Sequence, residues 1–230
     1  MLNVENIRQY FYDAYSKKDF VTDKTGVKTI EMIGAQFIAN EPAIFGEPNQ
    51  DYIRREIDWY NTKSLNIKDF EGNPPLAWVR TANEDGEINS NYGWCIFTQE
   101  NAAQYDNTLK ELIRNPESRR AIMIYTRPFM HYDYNFLDKN DFICTNAVQY
   151  FIRSDVSGRR QLITHVNMRS NDVIFGYKND YAWQEYVTTK LYNDLRETYP
   201  DLYIGKIIWN VGSLHVYERH FHLVVVEGYE

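Results

Sequence analysis

Two stretches of this chain combine residue types that do chemistry on small anionic ligands. The first, Arg169-Ser170-Asn171-Asp172-Val173-Ile174-Phe175-Gly176-Tyr177-Lys178-Asn179-Asp180, opens on a cation beside a hydroxyl and closes on a carboxylate. An arginine offers a planar donor fork and a serine a hydroxyl, so the pair suits one phosphate. An aspartate accepts well from an exocyclic amine such as cytosine N4. The same residues also fit a capped loop leading into the helix that follows. The second stretch, Asp141-Phe142-Ile143-Cys144-Thr145-Asn146, runs into the β-rich Ala147-Val148-Gln149-Tyr150-Phe151-Ile152-Arg153. A thiol at the mouth of a strand is placed to be a nucleophile, provided nearby positive charge lowers its pKa; a buried inert cysteine is the other reading.

Two shorter motifs accompany them. Ser118-Arg119-Arg120 precedes the strand-like Ala121-Ile122-Met123-Ile124-Tyr125-Thr126. Near the end comes Leu214-His215-Val216-Tyr217, in which His215 and Tyr217 lie two apart and share one face of a strand. Cys95, beside Trp94 in an apolar run, reads as packing. His220 and His222 repeat the two-residue spacing with no carboxylate or cysteine beside them, so we read no metal site there.

The elements that must position these residues are legible from periodicity. Val4, Ile7, Phe11 and Ala14-Tyr15 fall at helical spacing and predict an amphipathic N-terminal helix. A polar turn over 23–29 enters a strand over 30–37 and lacks the glycine spacing of a phosphate-binding loop. Residues 52–60 predict a second helix, and Gly72-Asn73-Pro74-Pro75 breaks into a loop. Four further strands are expected over 121–126, 147–153, 162–167 and 204–210. Between the last two, Trp183, Val187, Leu191 and Leu195 recur every fourth position, predicting a long buried helix. Strands and helices without strict alternation imply an α+β fold, with one large mixed β-sheet flanked by helices. At 230 residues the chain suits a single domain over 1–230.

Composition narrows the ligand. The net charge is −7 and no basic tract stands out, which argues against a nucleic-acid polymer, whereas a mononucleotide needs only a few placed cations. The 19 tyrosines are read as packing. Two cysteines make neither a disulfide framework nor a zinc pattern, no charged-then-apolar leader opens the chain, and no apolar run approaches a membrane span. A reducing cytoplasm is the economical expectation.

Taken in order from about Asp19 to Phe221, these motifs resemble the thymidylate synthase superfamily, and within it the branch of phage deoxycytidylate (dCMP) hydroxymethylases. The resemblance implies a homodimer formed through the sheet and 5,10-methylenetetrahydrofolate as co-substrate, with no metal. It implies that Cys144 adds to pyrimidine C6, which makes C5 nucleophilic. Phosphate binding falls to Arg169, Ser170, Arg119 and Arg120, the last two reaching across the dimer in trans. Lys24 stands where the synthases place a further arginine, which reduces a fork to a point charge. His215 and Tyr217 are carried over to the sugar 3′-hydroxyl. Glu56, in Arg55-Glu56-Ile57-Asp58-Trp59, corresponds to the glutamate that organises water, and Tyr92 to a tyrosine tied to removal of the C5 proton. Asp172 would hold the pterin, Trp78 would pack on the folate, and Asn146 would order water or base near Cys144.

The departure that matters most is Asp180. An amide there can donate to uracil O4 and accept from N3–H; cytosine reverses both groups. A carboxylate accepts from N4, and one proton shared with N3 completes the second hydrogen bond. Counting from Arg169 and from Gly176 places Asp180, not Asn179, at this position. The reaction implied is one-carbon transfer to C5 of dCMP, quenched by water to give 5-hydroxymethyl-dCMP and tetrahydrofolate for modified phage DNA. Alternatives are a thymidylate synthase acting on dUMP, an enzyme acting on the cytidine ribonucleotide, and a catalytically silent nucleotide-binding subunit of a nucleotide-synthesis complex. The synthases close a C-terminal tail over the folate; here the sequence stops soon after Val224-Val225-Val226, so either the tail is short or the sequence ends before its natural terminus, and a reduced lid would fit hydration of the intermediate.

Overall fold

A computed structural model describes residues 1–23 and 26–226. In chain order the elements are β1 (Leu2–Asn3), α1 (Val4–Ser16), β2 (Val21–Thr22), β3 (Lys28–Ile38), α2 (Gln50–Thr62), α3 (Leu76–Thr81), α4 (Tyr92–Phe97) and α5 (Gln104–Arg114). There follow β4 (Ile122–Ile124), α6 (Met130–Phe136), β5 (Thr145–Ser154), β6 (Arg160–Asp172), α7 (Gly176–Leu195), β7 (Tyr203–Tyr217) and α8 (Phe221–Val226). They fall into two compact units. A strand unit comprises Met1–Pro48 and the chain from Arg153 onward, and an aromatic unit comprises Asn49–Ile152.

The strand unit carries the mixed sheet and flanking helices expected of an α+β fold. Its strand order is β1-β3-β7-β6, with β2 also on β3. The β1/β3 and β6/β7 pairs are parallel, whereas β2/β3 and β3/β7 are antiparallel. Helix α1 starts at a reciprocal cap, Asn3 Oδ1 accepting from Asn6 N at 3.1 Å and Asn6 Oδ1 from Asn3 N at 3.0 Å. It buries Val4, Ile7, Phe11 and Ala14 and packs on β3. Each large side chain among these contributes about 1.5–3 kcal/mol by leaving water. Helix α7 packs on β6 and β7 through Tyr177, Trp183, Val187, Leu191 and Leu195.

The strand expected over 121–126 is only Ile122–Ile124, but β6 and β7 run longer than periodicity predicted, and the reason is physical. On β6 the buried positions are Leu162, Thr164, Val166 and Met168, then the phase shifts and Asn171 is buried. On β7 it shifts between Val211 and Leu214, and on β3 between Ile30 and Ala35. Register pairs on either side set Gly34, Gly212 and Arg169 in one row across the three strands. Gly34 has φ +70°, and a Cβ on Gly212 would stand 2.7 Å from the Arg169 carbonyl oxygen. A shared kink therefore crosses the sheet, and beyond it each strand shows its opposite residues to the core. Alternation read from sequence ends at the kink; the strands do not. The expected strands at 162–167 and 204–210 extend to Arg160–Asp172 and Tyr203–Tyr217. The opening of the Arg169 motif is thus the end of a strand rather than a loop.

In the aromatic unit β4 pairs antiparallel with β5, and α4 packs on α2 and α5. Gly93 makes the α2/α4 approach possible, because a Cβ there would lie 1.9 Å from the Tyr60 carbonyl oxygen. The rings of Trp59, Tyr60, Phe70 and Trp78 form one cluster with centroids 4.8 to 6.4 Å apart.

Candidate active site

Cys144 stands immediately before β5, as expected of a thiol at a strand mouth, and is half-buried. The chain on both sides of it is pinned to one segment, 89–92. Asp141 accepts from Asn89 N at 2.9 Å, Ser90 N at 2.7 Å and Ser90 Oγ at 2.8 Å. Thr145, on the other side, donates to the buried Tyr92 hydroxyl at 3.1 Å. A side chain bracketed this way keeps little conformational freedom.

Tyr92 opens α4, whose cap is Asn91. The fully buried Asn91 accepts from Trp94 N at 2.7 Å and donates to the carbonyls of Trp59 at 3.0 Å and Ser64 at 2.8 Å. This ties Tyr92 to the end of α2. Its ring stacks on Tyr60 at 5.0 Å and meets Tyr125 edge-on at 5.2 Å. One helical turn before Tyr60 lies Glu56, only 6% exposed, accepting from the Tyr52 hydroxyl at 2.8 Å. A carboxylate this buried needs such a partner. So α2 carries Glu56 and Tyr60 on one face, and Tyr60, Tyr92 and Thr145 continue the contacts to the residue beside Cys144. Asn146 lies on β5, where its carbonyl accepts from Tyr125 N at 2.9 Å. Trp78 packs on Trp59 at 4.8 Å, next to Leu76 and Val79, which are 70% and 48% exposed.

The two cysteines differ as their sequence settings predicted. Cys95 is 1% exposed, and burial pushes its thiol up to about 12, only partly offset by Arg127 with a nitrogen 3.6 Å from the sulfur. It is a neutral packing group at physiological pH. Arg119 and Arg120 are exposed; Arg120 pairs with Glu111 at 3.0 Å, and Arg119 lends its carbonyl to the Gln149 amide at 2.7 Å.

In the strand unit, Arg169, Ser170 and Asp172 lie on β6, and Asp180 on α7. Asp172 Oδ1 accepts from Ile174 N at 2.7 Å and Phe175 N at 2.8 Å, so it caps the turn into α7. Asp180 Oδ2 accepts from Asn171 Nδ2 at 2.8 Å, and Asn171 Oδ1 accepts from Trp209 Nε1 at 3.2 Å. It is Asp180, not its neighbour Asn179, that meets this buried amide. His215 and Tyr217 project from one face of β7 with ring centroids 4.9 Å apart, and Asp172 is the register partner of His215. Lys24 lies outside the described residues.

A family model described as thymidylate synthase matches residues 9–227. The chain belongs to the thymidylate synthase family. Among its relatives, the deoxycytidylate 5-hydroxymethyltransferases of Enterobacteria phages T6 and T4 are 57% and 56% identical over 225 residues, 97% of this chain and 89% of theirs. A thymidylate synthase of Francisella philomiragia is 25% identical over 234 residues, 95% of this chain and 81% of its own. Within this thymidylate synthase-family chain the sequence pointed to Cys144, Glu56, Tyr92 and Asp180 but passed over the residues that hold them: Asp141, Thr145, Tyr60, Tyr52, Asn171 and Trp209. Asp141 carried a signal, as a carboxylate three residues ahead of the thiol. Asn171 carried none, because its burial depends on the kink. Among the described residues no three His, Cys, Asp or Glu side chains converge as a metal site, and no helix is long and apolar enough to cross a membrane.

Proposed function

We propose that this chain is a deoxycytidylate 5-hydroxymethyltransferase, making 5-hydroxymethyl-dCMP from dCMP, 5,10-methylenetetrahydrofolate and water. The observation that carries the reading is the carboxylate of Asp180, held at 2.8 Å by a buried amide where a uracil-reading member would have an amide of its own. The 56–57% identity to two phage enzymes of that name supports it.

The Cys144 sulfur adds to C6 and the ring electrons move to C5. The folate supplies the one-carbon unit that C5 takes up. Tyr92 serves removal of the C5 proton, which breaks the bond from the new carbon to the folate nitrogen and releases tetrahydrofolate; water then adds to the exocyclic carbon with Glu56 as its base, and Cys144 departs as thiolate, restoring the aromatic ring. Arg169, Ser170 and Lys24 bind the phosphate, with Arg119 and Arg120 supplied by the partner subunit of a homodimer. His215 and Tyr217 take the sugar hydroxyl, and Asn146 orders water near the base. The exposed apolar shelf of Leu76 and Val79 beside Trp78 fits a flat folate ring, and Asp172, already stiffened by two backbone donors, suits the pterin's N–H edge. The family match across residues 9–227 supports treating 1–230 as a single catalytic domain. We place the enzyme in the cytoplasm of a phage-infected cell, supplying a modified base for DNA, with a nucleotide-synthesis complex as its setting.

Incubation with dCMP tritiated at C5 and methylenetetrahydrofolate tests the reading. Tritium should enter water, and tetrahydrofolate and hydroxymethyl-dCMP should accumulate. Dihydrofolate formation with dUMP consumed instead would assign a synthase, and no tritium release from either nucleotide would assign a silent subunit.

A further inference from the structure

The buried polar contacts behind Asp180 form a chain with a direction. Asn171 is 2% exposed and Trp209 is fully buried. An indole nitrogen can only donate, so the carboxamide oxygen of Asn171 must face Trp209, as it does at 3.2 Å. Its NH2 group must then face Asp180 Oδ2, as it does at 2.8 Å. The flipped amide would set N–H against N–H between two buried side chains. The sheet kink is what permits this alignment. Trp209 precedes the kink on β7 and Asn171 follows it on β6, and without the phase change the two side chains would point to opposite faces.

Resting on the reading that Asp180 recognises the base, we propose that Trp209 and Asn171 form a one-way hydrogen-bond relay that sets substrate specificity. The relay keeps Oδ2 of Asp180 as an acceptor. An oxygen that already accepts from the Asn171 N–H is the less basic of the two, so the proton shared with cytosine N3 favours Oδ1. Asn171 and Trp209 are thus positioning residues: they fix which carboxyl oxygen carries the proton, and with it the orientation of the carboxyl group toward the ring. A nearly isosteric acid at 171 still accepts from Trp209 but presents oxygen to Asp180, which reverses the hydrogen-bonding sense at Oδ2.

The test compares kcat/KM for dCMP and dUMP in wild type, Asn171→Asp and Trp209→Phe, with thermal unfolding alongside. The relay predicts that the dCMP-to-dUMP ratio falls about 100-fold in Asn171→Asp and about 10-fold in Trp209→Phe, where the amide loses its director. A merely structural role would lower both substrates together and leave the ratio unchanged, and that result in folded variants overturns the relay. Nitrogen-15 spectra of the wild-type enzyme give an independent readout: dCMP should move the Trp209 indole resonance and inorganic phosphate should not. An indole signal indifferent to dCMP also overturns the proposal. If Asp180→Asn switches preference while Asn171→Asp and Trp209→Phe keep the wild-type ratio, the base-reading assignment stands and the relay alone fails. A wild-type enzyme without preference for dCMP overturns both.

Discussion

Residues 49–152 and the strand unit hold their functional side chains by different means. Around Cys144, position comes from short helices locked by aromatic packing and by single side chains that bridge loops, such as Asn91 to Trp59 and Asp141 to Ser90. Around Asp180, it comes from strand register, with a kink that turns Asn171 inward and a helix that brings the carboxylate to it. In the proposed reading, the first arrangement serves a nucleophile and its proton carriers, which it holds on separate pieces of chain. The second presents a few donors and acceptors on a stiff frame, as discrimination between two similar bases requires. Under the proposed roles chemistry and recognition are built separately, so each should fail separately.

That separation can be broken at graded cost. Cys144→Ala should abolish tritium release, a loss of at least about 10⁴-fold, with dCMP binding retained by equilibrium dialysis. Cys95→Ala should turn over within about threefold of wild type, since its thiol is neutral and buried. Gly93→Ala forces a Cβ to within 1.9 Å of the Tyr60 carbonyl oxygen and should cost about 3 kcal/mol in urea unfolding. Tyr92→Phe removes the acceptor of Thr145 and should slow proton removal about 100-fold in kcat while leaving KM for dCMP near wild type. Loss of dCMP discrimination in Tyr92→Phe would mean that the two regions are not separable.

The smallest effect is a pH dependence. Cys95 has a folded pKa near 12, above its unfolded value. Its contribution to stability is therefore complete below about pH 8.5 and is lost as pH rises toward 12. Between pH 8 and 10 unfolding free energy should fall by about 1–2 kcal/mol from this group, and Cys95→Ala should flatten that slope. Tyr181, also raised to about 12 by burial and by Glu185, starts to count only above pH 10.

Legibility in the sequence followed the same division. Helices α1 and α7 announced themselves through repeats of Val4, Ile7 and Phe11 and of Trp183, Val187 and Leu191, because periodicity needs several turns to register. Helices α3 and α4, each of six residues, are too short to show one, and they are held by contacts remote in sequence. Strand alternation was readable up to the kink and misleading after it. Cys144 and Asp180 were visible as residue types in a motif. Their supports were not, since the bond from Asn171 to Trp209 spans 38 positions and the one from Thr145 to Tyr92 spans 53.

The most direct test of the central claim is the specificity of Asp180→Asn measured by tritium release from dCMP and dUMP labelled at C5. If Asp180 reads the base while Cys144 does the chemistry, the variant should lose dCMP turnover by about 10²–10³-fold and gain it on dUMP, with Cys144 still required. Retention of full dCMP selectivity by a folded Asp180→Asn enzyme would contradict the account.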